Sequence, residues 1–220
     1  MFISLLKKEL FIEFRSREVI LSMLIFGLSI ILAFAFTTNV SKIIVLNYAP
    51  GMFWIMILFV TTLGVHRSFT YEKNFDAFSL LISAPIDRGL IYLSKWISGT
   101  IFLTVMEIII IIPFFKFLLL DLPSNFILFS VTSILINFAI MSVASLVAGI
   151  SMRANFREVL VPSLFFPLVS PVIIAATKIS SGVLFGDPYQ LWQIWLLIIV
   201  SVIVIFPLAG YTLFDFITEE

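Results

Sequence analysis

Six long stretches of this chain carry almost no charge. Residues 19–41, 43–65, 122–152, 159–177 and 188–214 contain no Asp, Glu, Lys or Arg, and residues 96–115 contain only Glu107. A bilayer core about 30 Å thick takes roughly 20 apolar residues of helix, at about 1.5 Å each. Each stretch approaches or exceeds that length. The pattern predicts an all-α polytopic membrane protein with spans near 19–39, 46–65, 91–118, 126–150, 158–177 and 191–214. Pro162, Pro167 and Pro171 crowd the fifth, which predicts a bent span or one that enters part way and turns.

Two polar stretches have a pattern of their own. Ile3, Leu6, Leu10 and Phe14 recur at helical spacing among Lys7, Lys8, Glu9, Glu13, Arg15 and Arg17. That predicts an amphipathic helix over 1–18, lying in the membrane interface ahead of a six-helix transmembrane domain over 19–220. A cleavable signal peptide would run from a short basic region straight into an apolar core, and this segment does not. The longest polar connection is 66–95. Within it Phe75, Phe78 and Ile82 share a helical face with Leu81 adjacent, while Glu72, Lys73, Asp76 and Ser79 take the other side. Pro85 ends the run, since a proline disfavours helix in the residue before it. A short helix over 71–83, lying along the membrane, is expected. Its apolar side needs a partner or the interface to cover it.

Charge sets the orientation. With the N-terminus in the cytosol, ten basic residues fall inside: Lys7, Lys8, Arg15, Arg17, Arg67, Lys73, Arg88, Lys95, Arg153 and Arg157. Lys42, Lys116 and Lys178 fall outside. This bias predicts both termini inside, with short outer loops at 121–125 and 180–189. Composition adds exclusions. Zero net charge gives no field that would attract nucleic acid. The absence of Cys removes disulfide and thiolate-metal chemistry, and one His argues against a zinc site. Trp54, Trp96, Trp192 and Trp195 suit interface anchors.

No nucleotide-binding Gly-x-x-x-x-Gly-Lys-Ser/Thr loop, zinc-protease motif or serine-hydrolase motif occurs. No catalytic, cofactor-binding or metal-binding residue is assigned, and the chain does not read as an enzyme. Glu107 is the one acid deep in a span. A charge at mid-bilayer costs about 2.5–3.5 kcal/mol on insertion scales, so it is expected to face the bundle, protonated or hydrogen-bonded. Asn137 and Ser142 are the available partners, and a structural role is favoured over a gating or proton-coupled one. His66, at the end of span two beside Arg67, reads as a polar helix-end residue rather than a heme ligand.

Several segments resemble one family. Arg67-Ser-Phe-Thr-Tyr-Glu-Lys73, Leu80-Leu-Ile-Ser-Ala-Pro85, Asp87-Arg88-Gly89 and Leu93-Ser-Lys95 are similar to the cytosolic loop of CcmB, the heme exporter protein B family. Lys8-Glu9-Leu10, Glu107 with Pro113, Arg157-Glu-Val-Leu-Val-Pro162, Pro167, Pro171 and Leu213-Phe214 follow in the same order. The match extends over essentially the whole chain. It departs at Asn74-Phe75-Asp76-Ala77-Phe78, where related loops often read Glu-x-Gly-x-Leu-Glu.

The resemblance implies a half-permease of the ABC-2 kind in the bacterial cytoplasmic (inner) membrane. It would pair with a second copy and with two copies of a cytosolic ATPase that binds ATP and Mg. Tyr71, Glu72, Lys73, Phe75, Asp76, Phe78, Leu81 and Ile82 would form the ATPase-coupling helix. A heme-handling membrane protein and a periplasmic heme chaperone would be further partners, with heme as the cargo of the complex. An ABC-2 permease for a lipid-linked glycan, drug or peptide is the alternative. A channel or secondary transporter would call for intramembrane ion pairs and internal repeats, which the sequence lacks.

Overall fold

The structure is a computed structural model that describes residues 1–37, 42–74, 87–123, 125–151 and 157–218. Side chains at 42–43, 66–74, 157–158 and 215–218 lie outside that description. Every element among the described residues is helical: α1 (Phe2–Arg15), α2 (Arg17–Thr37), α3 (Lys42–Asn74), α4 (Arg88–Phe117), α5 (Phe126–Ser151), α6 (Arg157–Phe185) and α7 (Tyr189–Thr218). Six of them, α2 to α7, are long and apolar enough to cross a bilayer. The molecule is an all-α polytopic membrane protein.

The turns follow from local chemistry. The Asn125 side chain accepts from the Leu128 N–H at 3.1 Å and so caps α5, as the polar 121–125 turn predicts. Gly186, at φ +71°, closes α6, and the Asp187 N–H reaches back to the Gly182 carbonyl at 2.8 Å. A left-handed glycine with this back-bond is a common helix stop. The outer loop expected at 180–189 is therefore shorter, because α6 continues as helix to Phe185. The expectation of a part-way fifth span also falls: α6 is one 29-residue helix through all three prolines. Pro171 has no N–H to give the Pro167 carbonyl, and the Ser170 hydroxyl donates to it instead at 2.9 Å.

Helix α5 is the centre of the bundle, packed against α3, α4, α6 and α7. It is buried almost continuously from Ile136 to Gly149. Ala139, Ser142, Ala144, Ser145, Ala148 and Gly149 keep that surface narrow, so neighbouring helices approach closely. Phe53 of α3 meets Phe114 of α4 edge to face at 5.1 Å, and Phe115 meets Phe129 of α5 at 6.5 Å. The Trp54 indole is fully buried and donates to Ser180 Oγ at 2.7 Å, tying α3 to α6. Trp54 is thus a core residue and not an interface anchor. By contrast Leu191, Ile194, Leu197, Val204, Ile205 and Leu208 of α7 are exposed, a surface suited to lipid.

Candidate functional site

Two features stand out: the surroundings of Glu107 in mid-bundle, and the anchorage of the long polar loop. Glu107 lies on α4, turned toward α5 and 3% exposed. Asn137 Nδ2 donates a short hydrogen bond to Glu107 Oε2 and a second, at 3.2 Å, to Thr104 Oγ1. Of the two expected partners, Asn137 is found and Ser142 is not, since the Ser142 hydroxyl donates to Ala139 O at 2.8 Å within its own helix. Ser133 of α5 faces the same carboxyl and is a second side-chain hydrogen-bond partner for it. Helical spacing explains the grouping. Thr104 and Glu107 are three apart on α4 and Ser133 and Asn137 four apart on α5, so each pair shares a face. Asn137→Leu would take the amide donor away from Oε2. It should lower the unfolding temperature and the yield of folded protein more than Glu107→Gln, which keeps an acceptor for Asn137. Equal effects would mean that the bond to Asn137 contributes nothing.

The loop is fastened at both ends. At its start α3 runs as unbroken helix to Asn74, nine residues beyond the span expected to end at 65. Tyr71, Glu72 and Lys73 therefore ride on the end of α3 rather than opening a separate helix. Phe75, Asp76, Phe78, Leu81 and Ile82 lie outside the described residues. At its end Asp87 caps α4: one carboxylate oxygen accepts from the Gly89 N–H at 2.9 Å, and the other from the Tyr211 hydroxyl of α7 at 2.7 Å. One turn further, Tyr92 is fully buried and its hydroxyl donates to Ser142 O of α5 at 3.0 Å.

The N-terminal helix meets the same region. α1 packs against α4, with Phe14 edge-on to Phe102 at 5.5 Å. Its buried face is Leu5 and Glu9, while Ile3, Phe11 and Phe14 are exposed. Lys95 Nζ donates to Glu9 Oε2 at 3.2 Å, and Lys8 Nζ lies 2.9 Å from Oε1. Burial alone would raise the Glu9 acid, but Lys95 and Lys8 together outweigh it and hold the carboxyl below its ordinary value of 4.5. These contacts place α1, the start of α4 and the end of α7 on one face of the bundle, as six crossings require. The sequence pattern gave no sign that Glu9 faces inward, because its neighbours Lys7, Lys8 and Glu13 make the whole stretch look solvated.

These features define a six-span, helical membrane subunit whose long loop is braced against three helices at one face. No three His, Cys, Asp or Glu among the described residues are grouped to hold a metal ion. The chain matches the model of the CcmB protein family over residues 1–212 and belongs to that family, the heme exporter permeases of cytochrome c maturation. No curated protein matches it.

Proposed function

We propose that the chain is the membrane half of an ATP-driven transporter that supports heme delivery in cytochrome c maturation. In this reading it sits in the bacterial cytoplasmic membrane with both termini inside. A second copy and two copies of a separate ATPase complete the machine. ATP and Mg are held by the ATPase, and heme is the cargo passed toward a membrane heme handler and a periplasmic chaperone. The permease itself performs no chemistry. Family membership over residues 1–212 is the observation that carries the proposal.

The geometry supports a coupling role for the loop. A chain without a nucleotide-binding loop must import its energy, and 66–95 is the long polar segment on the face that holds α1. Helix α3 extends through Asn74 and Asp87 is bonded to both α4 and α7, so force on the loop reaches three helices. Phe75, Phe78 and Ile82 have the spacing of a helical face that docks into a groove, and Glu72, Lys73 and Asp76 would fix its register. Aromatic anchors of this kind contribute about 2 kcal/mol or more each. Replacing Phe75 and Phe78 together with Ala should leave insertion intact, yet abolish co-purification of the ATPase and permease-dependent ATP turnover. Retention of both would remove the loop as the coupling element.

A further inference from the structure

Helix α1 turns its two acids inward. Glu9 is 3% exposed against Lys95, and Glu13 lines a crevice that Lys95 also lines. Lys7 and Arg15 of the same helix point outward and are exposed, as is Arg17 just beyond the break at Ser16. Glu18, on α2, is an exposed acid beside them and leaves the cations in excess. Ile3, Phe11 and Phe14 share the outward face and are 66%, 61% and 43% exposed. The Arg15 guanidinium lies over the Phe11 ring, 5.4 Å from its centre.

This face is divided lengthwise. At about 3.6 residues per turn, Leu6, Leu10, Ile3 and Phe14 fall side by side on one half of it. Ser4, Lys8 and Arg15 fall on the other half, with Lys7 and Phe11 between. The neighbouring surface belongs to lipid. Helix α2 starts immediately after Ser16, and Leu21 and Ile25 in its second and third turns are 55% and 62% exposed. An apolar strip beside a cationic strip, at the end of a lipid-facing span, matches the boundary between acyl chains and headgroups. A protein partner would bury Lys7 at the centre of its contact, where lysine is depleted. A second copy meeting this face with its own would set Lys7 and Arg15 against like charges. The anionic lipids of a cytoplasmic leaflet supply the opposite charge.

We propose that the outward face of α1 is a docking surface for anionic phospholipid. Lys7 and Arg15 hold the lipid phosphates, and Ile3, Phe11 and Phe14 enter the acyl boundary beside them. The inward turn of Glu9 and Glu13 is what leaves this face cationic, so the Lys95–Glu9 pair serves lipid selection as well as packing. This inference rests on α1 lying at the membrane surface and not on the ATPase reading.

The test uses the full chain in phosphatidylcholine nanodiscs that contain a trace of photoactivatable lipid. Phosphatidylglycerol and phosphatidylcholine, each with a diazirine near the start of one acyl chain, are compared. After photolysis, labelled peptides are mapped by mass spectrometry. Label within residues 1–18 should be about tenfold higher with phosphatidylglycerol, since each Lys or Arg near an anionic surface is worth about fivefold. Raising salt from about 0.1 M to about 1 M, which shortens the screening length from about 10 Å to about 3 Å, should remove most of that preference. Lys7→Gln together with Arg15→Gln should remove it at low salt, whereas Lys116→Gln, an exposed cation at the far end of α4, should not. The changed side chains are exposed, and each variant is compared with wild type by elution volume and unfolding temperature. Four results overturn the proposal: equal labelling by the two lipids, an unchanged preference in the Lys7/Arg15 variant, displacement of the label by inorganic phosphate, or a disulfide between copies carrying Ser4→Cys. The third would make this a site for free anions, and the fourth would show that a second chain covers the face.

Discussion

Lys95→Ala should release α1 from the bundle. Lys95 and Glu9 are 6% and 3% exposed and 3.2 Å apart, so removing the lysine leaves a buried carboxylate with, among the described residues, Lys8 as its remaining cation. Breaking a buried pair in this way typically costs about 3–5 kcal/mol, and the remaining Lys8 sets the expectation at about 3. Limited proteolysis near the N-terminus should accelerate, and the unfolding temperature in detergent should fall. The paired change Glu9→Leu with Lys95→Met should recover most of the loss, because an apolar pair needs no compensation. The acid limb follows from the depressed Glu9 carboxyl. Its contribution is complete above its ordinary 4.5 and is lost as pH falls below that value, through the lower one it holds when folded. Wild-type α1 should therefore loosen in acid, and the Leu/Met pair should not. If both respond alike, Glu9 is not the group that titrates.

Gly210→Leu should be equally damaging at the other side of the same face. A Cβ at Gly210 would overlap the Tyr92 ring. That ring has little room to move: it is fully buried, bonded through its hydroxyl to Ser142 O and packed against Phe214 at 5.9 Å. Overpacking of this kind costs about 1–3 kcal/mol before any loss of the hydrogen bond. The expected result is a large drop in folded yield and in unfolding temperature. Gly51→Ala is the control, since its new methyl would meet only Thr177 Cγ2 at an ordinary 3.7 Å. A Gly210 variant as stable as the Gly51 variant would show that α4 and α7 are not in close contact there.

The spans and the Glu107–Asn137 pairing were legible in the sequence for one reason. In a bilayer, length and charge are decided locally, and an intramembrane acid must find a partner within a few residues of depth. The features that escaped are contacts between distant elements. Tyr211 reads as an ordinary tyrosine near the end of a span until α7 brings it to Asp87. Trp54 reads as an interface residue because tryptophan favours interfaces, yet its indole N–H is satisfied by Ser180 and it belongs to the core. Glu9 and Lys95 stand 86 positions apart, and only tertiary packing makes them a pair. The prolines of α6 misled in the opposite direction. The Ser170 hydroxyl, adjacent to Pro171, repairs the carbonyl that Pro171 leaves open, so the helix continues where composition suggests a break.

The divided grip of Asp87 has a mechanical consequence. One oxygen is committed to the first turn of α4 and the other to Tyr211, three residues before the buried Phe214 of α7. A carboxylate held from two sides works as a rivet, and a rivet transmits rotation as well as pull. Tilting the end of the loop by a few degrees cannot be absorbed by α4 alone, because the same atom group would drag α7 with it or shed the tyrosine. The joint between the first turn of α4 and the end of α7 thus includes a phenol hydrogen bond of 2.7 Å at the surface.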